Sequence, residues 1–376
     1  MKPIICVFLF LISFIASGQK ISFNQEILSA TDPEIIAVRE LWKAYVNDCF
    51  KGSETDKDSI PLKYWNSIEL EQGFTDVAKD EFPIYSLGEL VTFDIKKEKN
   101  GFYRIRSMVL FTESTGKSVY AIFNIYAKKD KSEYKLYNQF FLTKSKLQHF
   151  HAGNIDFYCP VNYNFTIEKA KETADSYSKF STLYGNPEKR KITYIIGNTF
   201  DEANSFIGFD FSVVSSTSPF AGYSIRSKNI VLSCREDHLH EIIHAVFFSM
   251  FPNEPALFSE GVATYYGGTG GQNYSYLISQ LRNLINNKPD IDLSKFDNFD
   301  KTLDNGTNHF YNIGAIFIDY ALKIGGLKKV LALFQYSVTN PLTWDDPISA
   351  IKKELGIEKN QIDAFLKKYI QNYKGN

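Results

Sequence analysis

The sequence lacks an excess of either charge: 42 basic side chains stand against 43 acidic ones, so the formal net charge is −1 at pH 7. This balance excludes a generally basic nucleic-acid-binding protein, because the lysine clusters are too local to follow a phosphate backbone. Internal repeats and low-complexity tracts are also lacking, which argues against solenoid and fibrous architectures. The 376 residues are 44% hydrophobic and 23% charged, a composition typical of a globular protein of about two domains.

Long hydrophobic runs are scarce as well. The main one, residues 4–15, is too short to cross a bilayer, which takes about 20 residues. It follows Lys2 and precedes the small residues 16–18, the order of regions in a secretory signal peptide. We therefore expect residues 1–18 to be a signal peptide and the mature protein to be exported, to the periplasm or the extracellular space, without a membrane anchor.

Cysteine is rare, with four in the chain, and one of these lies in the signal segment. Export would leave Cys49, Cys159 and Cys234, so at most one internal disulfide can form. Connectivity cannot be read from spacing, but we favour Cys159 with Cys234 because both fall in the second half of the chain. The fold is not expected to depend on disulfides.

Residues 19–150 predict an α+β domain in which a helix packs on an antiparallel sheet. Apolar residues at helical spacing predict an amphipathic helix over residues 33–50. Four segments with a period of two then predict strands near 89–97, 102–113, 118–128 and 134–144. Asn100-Gly101 is the strongest hairpin signal between them. The arrangement resembles NTF2-like and cystatin-like domains, and it leaves open that this domain binds a partner.

Residues 151–376 show a different pattern. Strands are predicted at 154–159, 191–196 and 229–232, with a helix at 166–184 between the first two. Beyond these the chain is predicted to be mostly helical. The whole protein is thus expected to be of the α+β class.

The residues with catalytic potential lie at His240-Glu241-Ile242-Ile243-His244. On a helix, residues i and i+4 share one face, so His240 and His244 can bind the same zinc ion. Glu241 would then stand beside the metal, where it can accept a proton from water. Ser233 and Glu236 match a capping box, which predicts that the helix begins just after Ser233.

A second helix is predicted from Asn253, as N-cap, to Gly267-Gly268. It carries Glu260 sixteen residues after His244, and a short turn would fold it back against the first helix. Two histidines and one glutamate with an open position for water form a catalytic zinc site, which implies one zinc per chain. The competing interpretation is that both histidines are buried helix residues satisfied by hydrogen bonds.

His-Glu-x-x-His followed by Pro-x-x-x-Ser-Glu-Gly-x-Ala-x-Tyr resembles the gluzincin metallopeptidases, in particular the peptidase MA-like domain of many secreted bacterial proteins. The resemblance covers roughly residues 150–370 and implies a zincin catalytic domain of the thermolysin-like type. By this resemblance Glu241 is the general base, and the zinc ligands are His240, His244 and Glu260.

Tyr311-Asn312-Ile313-Gly314 is similar to the Tyr-x-x-Gly segment of the aminopeptidase branch, in which the tyrosine hydroxyl stabilises the oxyanion. Tyr311 is therefore the candidate for that role, with His309, Tyr265 and Tyr266 as alternatives, because the chemistry needs only a donor aimed at the developing charge. The substrate-anchoring Gly-x-Met-Glu-Asn segment of that branch is missing, so we expect an endopeptidase.

Three further expectations concern the surroundings of the metal. His238 is predicted to be a residue near the start of the helix rather than a metal ligand, because residues i and i+2 face different sides. Thr264 stands where thermolysin-like enzymes carry an aspartate that supports a zinc histidine, so the partners of the ligands are unassigned. The strand near residues 229–233 is expected to be the sheet edge along which a peptide substrate pairs.

The sequence as a whole predicts zinc-dependent hydrolysis of a peptide bond in a peptide or protein substrate. Two alternatives stay open. One is a non-catalytic, partner-binding protein on the same fold, against which the intact Glu241 and Glu260 argue. The other is a metallohydrolase of a non-peptide amide, which would use the same metal chemistry.

Overall fold

The computed structural model describes residues 21–55, 62–68, 88–113, 116–186, 190–213, 216–295, 309–336 and 345–375. The predicted signal peptide lies outside the described residues. The architecture is mixed α and β, 50% helical and 25% strand, which confirms the predicted class. In the described part of the chain, no helix combines the length and hydrophobicity needed to cross a membrane.

The described strands form two sheets. In chain order they are β1 (Ser22–Phe23), β2 (Glu89–Lys97), β3 (Tyr103–Glu113), β4 (Gly116–Asp130), β5 (Glu133–Asn138), β6 (Gln148–Ala152), β7 (Ile155–Cys159), β8 (Ile192–Ile196), β9 (Phe209–Ser212), β10 (Gly222–Ile225) and β11 (Ile230–Ser233). The described α-helices are α1 (Gln25–Leu28), α2 (Pro33–Thr55), α3 (Gln139–Thr143), α4 (Ile167–Leu183), α5 (Phe200–Phe206), α6 (Leu239–Phe248), α7 (Ala256–Gly267), α8 (Tyr274–Asn287), α9 (His309–Phe334), α10 (Asp345–Ala350) and α11 (Ile362–Asn372). The C-terminal half is mostly helical, as predicted.

The first sheet has the order β1-β2-β3-β4-β5, antiparallel except for the β1–β2 pair. The predicted meander is therefore confirmed, but its last strand ends at Asn138 rather than at residue 144. The Asn138 side chain accepts a hydrogen bond from the Phe140 N–H and so begins α3. Strand β9 also joins this sheet and pairs with β4 beside β5.

The second sheet has the order β10-β11-β8-β7-β6. Its three central strands β11, β8 and β7 are parallel, and the outer strands β10 and β6 are antiparallel to their neighbours. The predicted strand at 229–233 is present as β11, but it pairs with β8 on one side and β10 on the other. It is therefore not an edge, and the expectation that it would be was wrong because β10 was not predicted.

Cys49, Cys159 and Cys234 are free thiols, so the predicted Cys159–Cys234 disulfide is wrong. Cys159 ends β7 and Cys234 follows β11, while β8 lies between these two strands. Two strand spacings amount to about 9.5 Å. A disulfide requires Cα atoms within about 7 Å, so the sheet itself keeps the two thiols apart.

The central strands of the second sheet are buried on both faces. Tyr194 on β8 and Val231 on β11 face a hydrophobic core formed with the helices. Ile195 and Leu232, one residue further along each strand, belong instead to the core of the first sheet and α2. Such two-sided burial is typical of parallel strands. The division into domains at residue 150 stays a prediction, but the hydrophobic core crosses it.

Candidate metal centre

Helix α6 carries both histidines and begins after its N-cap His238, so His238 lies at the start of the helix as predicted. The predicted capping box is wrong. Ser233 is the last residue of β11, and its hydroxyl accepts a hydrogen bond from the Arg235 N–H at 3.2 Å. The Glu236 carboxylate accepts instead from the Thr166 N–H at 2.7 Å, just before α4, so a tertiary contact replaces the predicted local one.

Helix α7 carries Glu260, whose carboxylate reaches both histidines of α6. It begins at Ala256 with Pro255 as N-cap, two residues later than the predicted Asn253. It ends at Gly267, and Gly268 follows with φ of 72°, so the predicted end is confirmed. A residue with a side chain would be strained in that left-handed conformation.

Three donor atoms converge between the two helices. The Nε2 atom of His240 lies 3.2 Å from Nε2 of His244 and 3.2 Å from Oε2 of Glu260. The third side of the triangle, His244 Nε2 to Glu260 Oε2, is 3.3 Å. Ligands of a tetrahedral zinc ion, bound at about 2.0–2.1 Å, are separated by about 3.3–3.4 Å. The triangle therefore has the dimensions of three corners of a zinc site.

The site is secluded from water. The side chains of His240, His244 and Glu260 are 9%, 3% and 15% exposed. In the part of the chain that the structure describes, these three side chains bring their ligand atoms close enough together to hold one metal ion. Such buried polar groups need compensation for the lost contact with water, and a cation between them would provide it.

The charges favour metal ligation. Burial opposes ionisation of Glu260, but the two histidines and Arg226 outweigh it and hold the pKa of Glu260 well below its usual range. Burial and then the charge of Arg226 lower the pKa of His244 to about 4. At His240 burial is outweighed by Glu260 and Glu241, which raise its pKa. A metal ion at this site would therefore compete with a proton for Nε2 of His240.

Hydrogen bonds orient both imidazole rings. The Nδ1 atom of His240 bonds to the carbonyl oxygen of Gly268 at 2.7 Å, so Nδ1 carries the proton and Nε2 is free to bind metal. The Nδ1 atom of His244 bonds to the Ser259 hydroxyl at 3.0 Å, and that hydroxyl donates to the Glu254 carboxylate. His244 is thus the donor to Ser259, and its Nε2 also faces the other ligands.

Arg226 lies beside Glu260 and was not found from the sequence. Its Nη1 donates to Glu254 at 3.1 Å, and its Nη2 donates to Oε1 of Glu260 at 3.1 Å. Glu254 and Ser259 were also missed as partners of the ligands. Thr264, which stands at the position of the thermolysin-like aspartate, is buried, and its hydroxyl has no hydrogen-bond partner among the described residues.

Glu241 is buried next to the ligands, and burial raises its pKa to about 7. Its carboxylate accepts a hydrogen bond from the backbone of Ser224 on β10. The Nε2 atom of His238 lies 4.0 Å from its Oε1. A Cβ atom on Gly222 would lie 2.2 Å from the His238 ring, so glycine allows β10 to approach α6 closely.

Tyr311 lies beside His240. Its ring centroid is 6.1 Å from that of His240. The charge of Glu260, and then burial, raise the pKa of Tyr311 well above its usual range, so its hydroxyl stays protonated and can donate. Helix α9 thus brings to the ligands a hydrogen-bond donor that is distant from them in sequence.

The three alternatives to Tyr311 have other surroundings. The Tyr266 hydroxyl is bonded to the hydroxyl of Tyr184 at 2.7 Å. The ring of Tyr265 packs against that of Tyr274, 5.1 Å between centroids. His309 is buried at the first turn of α9. The ring of Tyr311, by comparison, lies next to that of His240, a proposed metal ligand.

The chain matches no protein-family model, and no curated protein is similar to it at a significant level.

Proposed function

We propose that the protein is a zinc-dependent metallopeptidase of the gluzincin type that hydrolyses peptide bonds. The observation that carries the proposal is the triangle of His240 Nε2, His244 Nε2 and Glu260 Oε2, with sides of 3.2–3.3 Å. The carboxylate of Glu241 beside this triangle supports a catalytic rather than a structural metal.

The donor set fits zinc. Two imidazole nitrogens and one carboxylate oxygen suit this ion, and three protein ligands leave one position open, as in catalytic sites. When bound, zinc supplies a Lewis acid that polarises a carbonyl group and lowers the pKa of a water molecule towards about 7. The hydrogen bonds of His240 to Gly268 and of His244 to Ser259 support this assignment, because zinc histidines are usually oriented in this way.

The chain's own residues then have distinct roles. Glu241 accepts the proton of the attacking water and passes it to the leaving amine. The Ser224 N–H orients the Glu241 carboxylate. The Tyr311 hydroxyl donates a hydrogen bond to the carbonyl oxygen of the substrate as negative charge develops there.

Strand β10 takes the place of residues 229–233 as the proposed peptide-binding edge. It is an outer strand of its sheet in the described part of the chain, and it lies against Glu241 through Ser224. An extended peptide that added to this edge by main-chain hydrogen bonds would pass the general base. We also propose that the mature protein is exported, on the signal-peptide pattern of residues 1–18.

The test begins with elemental analysis of the purified mature protein beside His244→Ala. We expect about one zinc per chain in the wild type and a loss of zinc in the variant. The wild type and Glu241→Gln are then compared on a peptide library and on panels of non-peptide amides and esters. Peptide cleavage by the wild type alone supports the proposal. Failure to bind zinc after reconstitution at neutral pH would overturn it, and cleavage confined to the other panels would replace the substrate class.

A further inference from the structure

We propose that Arg226 is a positioning residue that restricts Glu260 to one metal-binding oxygen and so keeps a position on the metal open. This inference rests on the proposed function, because it concerns the same metal site. It assigns a role to a residue outside the His-Glu-x-x-His and Ser-Glu-Gly segments.

The contacts around Glu260 form a closed ring of five side chains. Its members, in order of contact, are His244, Ser259, Glu254, Arg226 and Glu260. Helix α6 provides the first member, and the turn Arg226–Lys228 after β10 provides the arginine. The remaining members lie on α7 or just before it. Four contacts of the ring are hydrogen bonds or ion pairs of 3.1 Å or less. The fifth is the 3.3 Å approach of His244 Nε2 to Glu260 Oε2, the two atoms that would share the metal ion.

The two carboxylate oxygens of Glu260 have different partners in this ring. Oε1 accepts from Nη2 of Arg226 at 3.1 Å, whereas Oε2 lies 3.2 Å from His240 Nε2 and 3.3 Å from His244 Nε2. A carboxylate can bind a metal through one oxygen or through both. With Oε1 engaged by the guanidinium, only Oε2 is available, so Glu260 occupies one coordination position.

Glu254 prevents Arg226 from turning towards both oxygens of Glu260. Its Oε1 accepts a hydrogen bond from Nη1 of Arg226 at 3.1 Å, whereas Nη2 donates to Glu260. The two terminal guanidinium nitrogens therefore bind different carboxylates. The Glu254 side chain is 2% exposed and that of Arg226 is 29% exposed, so the pair is largely shielded from competing water. The planar fork of arginine suits this bridging geometry, whereas lysine offers a single point charge.

The same segment of chain also meets the general base. Arg226 directly follows β10, whose Ser224 bonds to Glu241. Ile225, between them, is buried and fixes the segment in the hydrophobic core. A shift of this strand would therefore move the guanidinium away from Glu260 and the N–H away from Glu241 together. Arg226 thus acts through Glu260 and need not touch the substrate.

The test uses the full mature chain loaded with Co²⁺, whose visible absorption distinguishes four-coordinate from five-coordinate ions. The variants are Arg226→Lys and the charge-balanced Arg226→Met/Glu254→Gln, so that neither leaves an uncompensated buried charge. Arg235→Ala is the matched control, because Arg235 pairs with Asp237 and lies outside the ring. Circular dichroism establishes whether each protein is folded. If one of the two Arg226 variants does not fold, the other one provides the test.

We expect the intense four-coordinate spectrum in the wild type and in Arg235→Ala, and a weaker five-coordinate spectrum in the Arg226 variants. Zinc affinity, measured by competition with a chelator, should fall about 10- to 100-fold in those variants. An unchanged spectrum and affinity in folded Arg226 variants would overturn this inference alone. If the wild type itself bound neither metal, the proposed function would fail and this inference with it.

Discussion

Gly261 and Gly314 meet backbone to backbone where α7 crosses α9. A Cβ atom on Gly261 would lie 2.4 Å from the carbonyl carbon of Gly314, and a Cβ atom on Gly314 would lie 2.2 Å from the carbonyl oxygen of Leu257. Glu260 directly precedes the first glycine, and Tyr311 lies about one turn before the second. The two glycines therefore set how closely a proposed metal ligand and the proposed oxyanion donor approach each other.

Gly261→Ala should separate these helices. We expect overpacking to lower the free energy of unfolding by about 1–3 kcal/mol. The displaced Glu260 should also reduce the zinc content of the purified protein. Urea denaturation and elemental analysis measure the two effects. The control is Gly325→Ala on α9, where the three atoms nearest to a Cβ atom all belong to the Lys329 side chain. An equal loss of stability in both variants would contradict the role of the crossing.

Ser259→Ala should weaken metal binding more than it weakens the fold. The substitution removes the hydroxyl that accepts from His244 Nδ1 and donates to Glu254. We expect zinc affinity to fall by about 10- to 100-fold, because ligand orientation is lost. Chelator competition gives the affinity. Ser279→Ala on α8, which removes an exposed hydroxyl bonded to its own helix, should leave the affinity unchanged. Equal zinc affinities for the two variants would contradict a role of the Ser259 hydroxyl in orienting His244.

Glu236→Ala should destabilise the protein without removing zinc. Glu236 is 2% exposed, and its carboxylate accepts hydrogen bonds from the Thr166 N–H and the Tyr163 hydroxyl. Leaving these buried donors unsatisfied costs about 1–3 kcal/mol. Thermal or urea unfolding measures the loss, and metal analysis should give the wild-type zinc content. A stability equal to that of the wild type would show that this contact contributes nothing to the fold.

Acid should remove the contribution of Glu34 to stability. Hydrogen bonds from Lys97 and then Tyr103 lower the pKa of Glu34 to about 2, from an ordinary value of 4.5. A lowered pKa in the folded state means that the contribution is complete above the unfolded pKa and disappears as the pH falls from about 4.5 to 2. Glu34→Gln should therefore lower the Tm at pH 7 and have a smaller effect at pH 3.

Melting curves of the wild type and Glu34→Gln at the two pH values make the comparison. Glu40→Gln on the same helix, whose carboxylate pairs with the adjacent Arg39, is the control. A Tm difference for Glu34→Gln that grows towards acid would contradict the assigned direction.

Local patterns predicted much of the fold. The first strands of the meander and the helix from Pro33 follow from periodicity and turn residues, which depend on neighbours in the chain. Strand β10 was missed because its four residues are stabilised by pairing with β11 rather than by their own pattern. The prediction of a capping box at Ser233 failed for a related reason, because Ser233 pairs with both neighbouring strands as the last residue of β11.

The residues of the candidate site likewise include some that local spacing predicts and some that it does not. His240, His244 and Glu241 could be found because four residues of helix place the ligands on one face. Arg226 could not be found, because its partners Glu254 and Glu260 lie 28 and 34 residues away and meet it only in the folded protein. Sequence spacing within one helix is informative, whereas contacts between elements depend on how those elements pack.

The pairing of β9 with β4 has a consequence for biosynthesis. Strand β4 forms its contacts with β9 through Ala121–Phe123, and β9 ends at Ser212. Because the ribosome synthesises the chain from its N-terminus, about 80 further residues must be made after β4 before it can pair with β9. Until then a stretch of strand is open to other chains. We expect a nascent or truncated chain that stops before residue 209 to need a chaperone or to aggregate.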